Sequence, residues 1–458
     1  MSERFELVDR AFLQLLEEKK YSALRELLVT INPADIAALL SQQEEDKITL
    51  LFRLLPKELA AETFVEMEIE EQEMLIRGFS DKELREILDE LYADDAADIV
   101  EEMPANVVKR ILRQATPEMR NTINQLLQYP ENSAGSMMTT EYVTLRPDMT
   151  VGESILRIRR QGVDKETIYT CYVTQNRTLI GLVTVKDLLL AQSDDMVIRD
   201  IMETNLICVT TVTDREEVAR MFSKYNFLAL PVVDRENRMV GIVTFDDAMD
   251  VLEEETTEDM EIMGGMLPSE KTYLKSSPWE LFKNRIPWLL LLMVSATFTG
   301  MIINSFEQAL AAQAALIAFI PMLMGTGGNS GSQSSVTVIR ALSLDELRFS
   351  DLPRVIWKEI RTAVICGIAL AVVCFVKIWL IDRLLLGNQE ITLMVDAVVS
   401  LALLVTVLLA KLVGGVLPIA AKAMKLDPAV MASPFITSIV DAVSLLVYFV
   451  FARFMLGV

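Results

Sequence analysis

The residues of this sequence that could do chemistry are almost all oxygen donors. The 458-residue chain contains no histidine, which excludes serine–histidine triads, cysteine–histidine pairs and histidine metal sites. Its 65 Asp and Glu outnumber its 43 Lys and Arg. Carboxylate, amide and hydroxyl oxygens are the ligands of hard cations such as Mg²⁺ and Ca²⁺. The four cysteines have no CxxC spacing and indicate buried thiols.

One carboxylate, Asp441, lies in the middle of an apolar segment. It follows Val430 by 11 residues, which is roughly 16 Å along a helix and near the middle of a ~30 Å hydrocarbon layer. A carboxylate at that depth costs on the order of 2.5–3.5 kcal/mol, so it is a functional candidate by default. We interpret Asp441 as part of an ion pathway. The alternative is a structural partner on another helix.

A second polar stretch, residues 321–333, interrupts the apolar half of the chain. It contains four glycines together with an asparagine, a glutamine and several hydroxyls. Small residues permit close helix packing, and amides can face a water-filled cavity. Composition alone leaves helix packing and pore lining equally open.

Five apolar segments, which would position these residues, are long enough to span a membrane as helices. They are residues 286–306, 309–338, 362–386, 395–421 and 430–456. Nine Lys and Arg lie in or before the loops on one side and two on the other. This asymmetry predicts a cytoplasmic N-terminal half and a C-terminus outside. Lys377 and Lys411 lie toward span ends, and we expect them to reach the membrane surface.

The charge divides the same way. Residues 283–458 carry 13 Lys and Arg against 10 Asp and Glu, so the remaining 30 Lys and Arg and 55 Asp and Glu give residues 1–282 a net charge of −25. So acidic a half is not expected to bind nucleic acid, whose phosphates require a basic surface.

The soluble half contains an internal repeat between residues 138 and 256. The segment 181–187 (GLVTVKD) recurs at 241–247 (GIVTFDD), and each copy of about 60 residues has short β-branched strands and amphipathic helices. The order resembles a tandem pair of CBS domains. Each turn opens a helix, whose N-terminus favours phosphate. In that family the Thr and Asp of the turn hold an adenosine nucleotide, which implies Thr184 and Asp187, and by the repeat Thr244 and Asp247.

The rest of the soluble half is helical and acidic. Apolar residues recur at helical spacing through residues 1–130, with prolines near predicted helix starts. Residues 246–261 hold nine carboxylates, and five of them share one helical face. Like charges at this spacing destabilise a helix unless cations neutralise them. A merely solvated face is the alternative.

Together these parts resemble the MgtE family of bacterial magnesium channels over essentially the whole chain. The similar stretches include residues 91–98 (LYADDAAD), 133–138 (SAGSMM), 257–260 (TEDM), 327–333 (GGNSGSQ) and Asp427-Pro428-Ala429 followed by Asp441. The resemblance implies a multidomain fold. It comprises an all-α superhelical N domain (1–130), an α+β tandem CBS pair (131–256), a connecting helix (257–282) and an all-α pore domain of five transmembrane helices (283–458).

The resemblance also implies site residues. Asp441 is the pore ion site, with pore-lining positions at Gly325, Gly328, Asn329, Gln333, Ser433 and Thr437. Magnesium-sensing carboxylates are implied at Glu62, Asp94, Asp98, Asp214, Glu216, Asp247, Asp250, Glu255, Glu258, Asp259 and Asp427.

The function implied is not enzymatic. We expect a homodimeric, multi-pass protein of the bacterial inner membrane that imports Mg²⁺ down its electrochemical gradient. Mg²⁺ bridging of the cytosolic acidic domains would close it, and ATP at the CBS pair would modulate it. The sequence has no GxxxxGK[ST] loop, so nothing indicates ATP hydrolysis. The alternative is a membrane-anchored nucleotide or metal sensor whose spans only tether and dimerise it. Such a tether needs neither Asp441 nor the amide-glycine stretch.

Overall fold

The computed structural model describes residues 3–269, 271, 273–387, 391–431 and 433–457. The chain folds as two compact units, Met1–Glu253 and Glu254–Val458.

The first unit begins with short helices, as the apolar spacing predicts. Pro33 and Pro117 occupy the first helical position, where a missing N–H costs nothing, and Ser80 with Glu83 forms a capping box. The helices bury their apolar faces in a common core, for example at Leu39. Their bounds are α1 (Glu3–Glu17), α2 (Tyr21–Leu28), α3 (Pro33–Ser41), α4 (Glu45–Phe52), α5 (Lys57–Val65), α6 (Ile69–Gly78), α7 (Asp81–Leu88), α8 (Ala93–Glu102), α9 (Ala105–Gln114) and α10 (Pro117–Leu126).

The repeat folds as two small sheets with the same topology. In each sheet the first strand pairs parallel with the second, and the second pairs antiparallel with the third. The strands are β1 (Thr144–Leu145), β2 (Thr170–Gln175), β3 (Thr178–Thr184), β4 (Val209–Thr210), β5 (Ala229–Val233) and β6 (Met239–Thr244). The helices are α11 (Val151–Gln161), α12 (Val185–Leu189), α13 (Ile198–Ile201), α14 (Arg215–Tyr225) and α15 (Phe245–Met263).

The first residues of each copy pair with the last strand of the other copy. Thr139 forms an antiparallel bridge with Ile242, and Glu203 forms one with Leu182. At Gly241, an added Cβ would lie 2.6 Å from Sδ of Met138, so only glycine allows this approach. A Cβ on Gly181 would likewise lie 2.6 Å from Sδ of Met202, so the same Met and Gly positions of both copies form contacts between the copies.

The second unit is built from five long helices within the described residues. They are α16 (Pro278–Ser305), α18 (Ile320–Ser343), α19 (Leu352–Lys377), α20 (Leu393–Ala423) and α21 (Ser433–Leu456), with a short α17 (Glu307–Ala312). A π-helical stretch, Ile378–Leu385, continues α19. The expected fold class, a helical N domain followed by a CBS pair and a helical domain with several apolar helices, is confirmed.

The second predicted span has different bounds from those expected. Instead of one helix over 309–338, the chain forms α17 and a 3₁₀ helix (Ala314–Phe319) before α18 begins at Ile320. Pro321 lies in the first turn of α18, where proline favours a helix start. Among the described residues, four stretches are long and apolar enough to cross a membrane, and they contain α16, α19, α20 and α21. The small and polar residues of α18 lower its hydropathy.

The connecting segment is helical over only part of its predicted length. Helix α15 ends at Met263, and Gly265 follows with φ of +72°, a conformation that favours glycine. Ser277 then caps α16, which begins eight residues before the predicted first span. The prediction of a single helix over 257–282 is therefore wrong. The predicted domain boundaries remain predictions.

The expectation that Lys411 reaches the membrane surface is also wrong. Only 5% of Lys411 is exposed. Helix α20 continues for 12 residues beyond it, roughly 18 Å, so the side chain lies deep within the bundle. Lys377 is partly exposed and forms an ion pair with Asp382 at 2.6 Å.

Candidate functional site

Glycines bring α18 into close contact with α21. A Cβ added to Gly328 would lie 2.9 Å from Cγ2 of Thr437, and one added to Gly331 would lie 2.8 Å from Cγ2 of Ile436. Because later residues of α18 contact earlier residues of α21, the two helices run antiparallel. The small residues of 321–333 therefore pack helices closely, which was one of the two interpretations left open.

The polar residues of these two helices form two adjacent stripes. Gly325, Asn329 and Gln333 recur every four residues on α18, and all three are exposed in the single chain. On α21, Ser433, Thr437 and Asp441 recur at the same interval and are exposed or half-buried. Residues four apart lie on one helix face. The structure thus groups the predicted pore-lining residues on one polar surface, which we call the α18–α21 polar stripe; Gly328 is buried at its edge.

Hydrogen bonds connect the stripe at one end. The Oγ atoms of Ser332 and Ser433 lie 3.0 Å apart, and Thr437 donates to the Ser433 carbonyl at 2.7 Å. The Ser433 hydroxyl is thus already engaged with α18.

Asp441 stands at the other end of the stripe with spare acceptor capacity. It is half-buried, and its Oδ1 is enclosed without a hydrogen-bond partner among the described residues. An ionised carboxylate in such surroundings needs a cation, a donor or water.

In the first unit, three carboxylates of α8 are coupled electrostatically to the start of α15. Asp94, Asp95 and Asp98 all interact with Asp247. Asp247 is the last residue of the second repeat turn (residues 241–247), where it accepts a hydrogen bond from the Thr244 hydroxyl. Asp94 is only 8% exposed, and its Oδ1 has no hydrogen-bond partner among the described residues. We call these four residues the α8–α15 acidic cluster.

Burial and mutual repulsion raise the pKa values in this cluster. Desolvation, with the charge of Asp95 beside it, raises the pKa of Asp94 well above its usual value. Burial and the neighbouring Asp247 raise the pKa of Asp95 to about 7. Burial raises the pKa of Asp247 to about 6 against the lowering effect of Thr244. Desolvation and the charge of Asp247 also raise the pKa of Asp98, although its side chain is the most exposed of the four. Ionisation of the cluster therefore costs free energy, and bound protons or metal cations would offset that cost.

Sequence reasoning missed two further carboxylates near the α8–α15 acidic cluster. Glu166, in the loop before β2, interacts with Asp95 and Asp247; burial raises its pKa to about 8. Its Oε2 is buried without a hydrogen-bond partner among the described residues. Glu66, the C-cap residue of α5, interacts with Asp250, and partial burial raises its pKa. No motif marks either residue, since only the fold brings them there.

Several predicted sensor residues have ordinary structural contacts. Asp214 is the N-cap of α14, where it accepts a bond from the Glu216 N–H at 3.0 Å, and Glu216 forms an ion pair with Arg220. In the second unit, Asp259 accepts a hydrogen bond from Ser343 at 3.2 Å, and Asp427 accepts one from the Ala429 N–H at 2.8 Å. The remaining ones are Glu62 and Asp250, which are exposed, and Glu255 and Glu258, which are half-buried.

No group of three or more acidic or thiol side chains in the described parts of the chain has the geometry to hold a metal ion by itself. Cation binding at these positions would therefore need water ligands or carboxylates from a second chain. Mg²⁺ typically keeps several waters and accepts one or two protein carboxylates.

The first repeat turn borders a cavity of about 480 Å³, within the size range of small-ligand pockets. Tyr169 and leucines supply apolar walls, and Thr184 and Lys186 supply polar groups. Asp187 is exposed beside this cavity and forms a capping box with Thr184, so it already has a structural role. The apolar walls suit a planar base, and the ammonium group suits a phosphate.

The second repeat turn differs electrostatically from the first. Thr244 and Asp247 repeat the hydrogen bond of Thr184 and Asp187, but Asp247 belongs to the α8–α15 acidic cluster. A phosphate there would meet several carboxylates. The structure thus separates the two turns into one suited to an anion and one suited to a cation.

Comparison with known proteins finds family models that match the helical N-terminal region, the repeat and most of the second unit. Residues 31–132 match the MgtE intracellular N domain, 134–194 and 198–254 match CBS domains, and 320–451 match a divalent cation transporter family named MgtE. The chain is 37% identical to the magnesium transporter MgtE of Thermus thermophilus over 97% of both chains. It is 31% identical to the magnesium transporter MgtE of Bacillus subtilis over 97% of this chain and 96% of that one.

Two solved structures match the soluble part. One is the cytosolic domain of the Mg²⁺ channel MgtE in complex with ATP, with a TM-score of 0.51 and 39% identity, covering 53% of this chain and 99% of that one. The other is the soluble part of a magnesium transporter, with a TM-score of 0.51 and 29% identity, covering 55% and 99%. These matches, the paired repeat and the apolar helices lead to one conclusion: the chain belongs to the MgtE family of membrane magnesium transporters, which are not enzymes.

Proposed function

We propose that this chain forms a Mg²⁺-gated channel that admits Mg²⁺ down its electrochemical gradient. The observation that carries the proposal is the α18–α21 polar stripe, which ends at an Asp441 oxygen that has no hydrogen-bond partner in the described part of the chain. A row of amide and hydroxyl groups on the face of a membrane helix is costly unless it contacts water or ions. A divalent ion gains roughly 4.6 kcal/mol per 100 mV of inward-negative potential, so entry needs no ATP hydrolysis.

The functional unit that we propose is a homodimer. The stripe is open in the single chain, and a two-fold partner would place a second stripe opposite it. Two Asp441 carboxylates could then contact one hydrated ion through its waters. This agrees with the reluctance of Mg²⁺ to lose water.

Closure by cytosolic Mg²⁺ follows from the repulsion in the α8–α15 acidic cluster. With little Mg²⁺ the carboxylates of α8 repel Asp247 and Asp250, and the compact form of the first unit is weakened. Mg²⁺ bound between α8 and α15 removes that repulsion, and a second bridge links Asp259 with Asp427. Because helix α15 runs from residue 245 to residue 263, its position depends on both bridges. Ligands that bind only one state shift the population toward it.

A modulatory nucleotide site at the first repeat turn is the second part of the proposal. The cavity beside Thr184 and Lys186 has the size and polarity for an adenine nucleotide. The related cytosolic domain was crystallised with ATP, which supports the same ligand class here. We place Asp187 at the ribose hydroxyls.

The proposed orientation sets the N-terminal domains in the cytoplasm of a bacterium and the C-terminus outside. Basic residues lie at the ends of α18 and α20 and at the start of α16, the side that would face the cytoplasm. A tethered sensor, the alternative, would leave the α18–α21 polar stripe without a purpose.

The deciding experiment is Mg²⁺ uptake by the purified protein in liposomes. Asp441→Ala and the isosteric Asp441→Asn should lower uptake at least 100-fold while the protein still folds and dimerises. Asp396→Asn is the matched control, because Asp396 is a buried carboxylate of α20 that hydrogen-bonds to Ser400. Unchanged uptake in both Asp441 variants would overturn the pore assignment and favour the tethered sensor.

A further inference from the structure

Lys411 is a buried cation in the helix bundle that carries the proposed ion site. Gly331 of α18 approaches both of the helices concerned, since an added Cβ would lie 3.1 Å from the Ala410 carbonyl oxygen of α20 and 3.2 Å from Cγ2 of Val440 of α21. Lys411 directly follows Ala410, and Asp441 directly follows Val440. A lysine so deep in a membrane protein is expensive and indicates a function.

The side chain of Lys411 contacts a carboxylate through a serine. Lys411 Nζ donates to Ser334 Oγ at 3.4 Å, and that hydroxyl donates to Glu359 Oε2 at 2.7 Å. Ser334 is 3% exposed and lies on α18, whereas Glu359 lies on α19. One hydroxyl thus joins three membrane helices and links a buried cation to an anion.

The position of Ser334 sets this network on a different side of α18 from the polar stripe. Ser334 is buried in the bundle, while Asn329 and Gln333 are exposed. Glu359 reaches this position because α20 has glycine there: a Cβ on Gly415 would lie 2.9 Å from Cγ of Glu359. The sequence therefore provides room for a carboxylate beside a buried lysine.

We propose that Glu359 compensates the charge of Lys411 through Ser334, so that a cation passing along α18 meets no net positive charge from the bundle. This inference rests on the proposed pore. In a low-dielectric interior, an uncompensated lysine one helix away would repel a divalent ion twice as strongly as a monovalent one. Glu359 and Ser334 are positioning residues, and Lys411 is held in place by them.

The test is Mg²⁺ uptake in liposomes as a function of Mg²⁺ concentration, with full-length protein. Glu359→Gln should raise the half-saturating Mg²⁺ concentration at least 5-fold, because repulsion weakens ion occupancy. The double variant Lys411→Met/Glu359→Gln should return it to within 2-fold of the wild type. A fall in the number of folded channels would lower only the maximal rate. An unchanged half-saturating concentration in Glu359→Gln, or no recovery in the double variant, would overturn the proposal.

Ser334→Ala keeps the test decisive if Glu359→Gln fails to fold. It removes one oxygen and should raise the half-saturating concentration 2- to 5-fold, whereas Ser330→Ala, also buried on α18, should not. Equal effects of the two would contradict the compensation. Failure of the underlying pore proposal would be recognised separately, because uptake by Asp441→Asn would then equal that of the wild type.

Discussion

Gly328 of α18 lies so close to Thr437 of α21 that a Cβ on the glycine would approach the threonine Cγ2 to 2.9 Å. Contacts this short are nearly absent between real side chains, so α18 and α21 pack at a distance that only glycine allows. The α18–α21 polar stripe runs beside this contact. The same glycine therefore sets the spacing of the two helices that carry the proposed ion site.

Gly328→Ala should separate α18 from α21 and lower Mg²⁺ uptake at least 10-fold. Overpacking of this kind typically costs about 1–3 kcal/mol, so the melting temperature in detergent should also fall. Gly325→Ala is the matched control for stability, since beyond its own stretch of helix no atom of the described residues lies within 4 Å of the added Cβ. Its melting temperature should equal that of the wild type. Equal destabilisation by the two substitutions would contradict the packing argument.

Protons should replace Mg²⁺ in stabilising the first unit. The folded pKa values of Asp95 (about 7) and Glu166 (about 8) lie above the usual values near 4 of an unfolded chain. The folded protein thus binds more protons than the unfolded chain between about pH 4 and 8, and stability is lost as the pH rises through 7 and 8.

The measurement is proteolysis of α15 in the full-length protein, without Mg²⁺, at pH 6.5 and 8.5. Cleavage should be several-fold faster at pH 8.5, and 10 mM Mg²⁺ should remove the difference. Asp95→Asn/Glu166→Gln should also remove it, while Glu118→Gln, at an exposed position outside the cluster, should not. Equal cleavage of the wild type at both pH values would show that these carboxylates are simply solvated.

Most of the fold could be predicted from the internal repeat and the helical patterns, because both depend on local residue spacing. The repeated turn at residues 181–187 and 241–247 predicted two equivalent modules, and the structure contains them. The start of α18 was misplaced because the apolar stretch is continuous in composition across a 3₁₀ segment that ends at Phe319. Hydropathy cannot distinguish that segment from a helix.

A site residue could be predicted from the sequence where its own burial in an apolar segment is costly. It could not be predicted where only the fold brings it beside the other site residues. Asp441 is conspicuous because a carboxylate interrupts an apolar helix. Glu166 has no such local signal, and its buried oxygen gains meaning only from Asp95 and Asp247 nearby. Lys411 was judged by its distance from a predicted span end, which missed the contact with Ser334.

The nucleotide proposal predicts a different outcome for the two repeat turns. Lys186→Ala and Asp187→Ala should each weaken ATP binding at least 10-fold in calorimetry, because Lys186 lines the cavity and Asp187 organises the turn. Asp246→Ala, at the position of the second repeat turn that is equivalent to Lys186, should leave ATP affinity unchanged. Absence of ATP binding to the wild-type protein would end this part of the proposal.

Neutralising carboxylates along α15 tests the gating proposal. The variant replaces five residues with their amides: Asp247, Asp250, Glu255, Glu258 and Asp259. Two opposing effects follow, since the repulsion that weakens the compact form disappears together with the groups that bind Mg²⁺ in it. Loss of repulsion is independent of Mg²⁺, so it changes the basal activity only. Loss of the bridges removes all of the Mg²⁺-dependent stabilisation of the compact form that these residues provide.

The variant should therefore conduct at both low and high cytosolic Mg²⁺, whereas the wild type closes as Mg²⁺ rises through the millimolar range that suits few-ligand, water-rich sites. Channel activity in inside-out patches measures this directly, and proteolysis of α15 across the same concentrations reports the compact form. A variant with Glu253 and Glu254 changed to glutamine is the matched control, because it also removes charge from α15 and leaves the proposed bridges intact. If the five-residue variant still closes with Mg²⁺ as the wild type does, magnesium acts elsewhere and the acidic face of α15 only keeps the protein soluble.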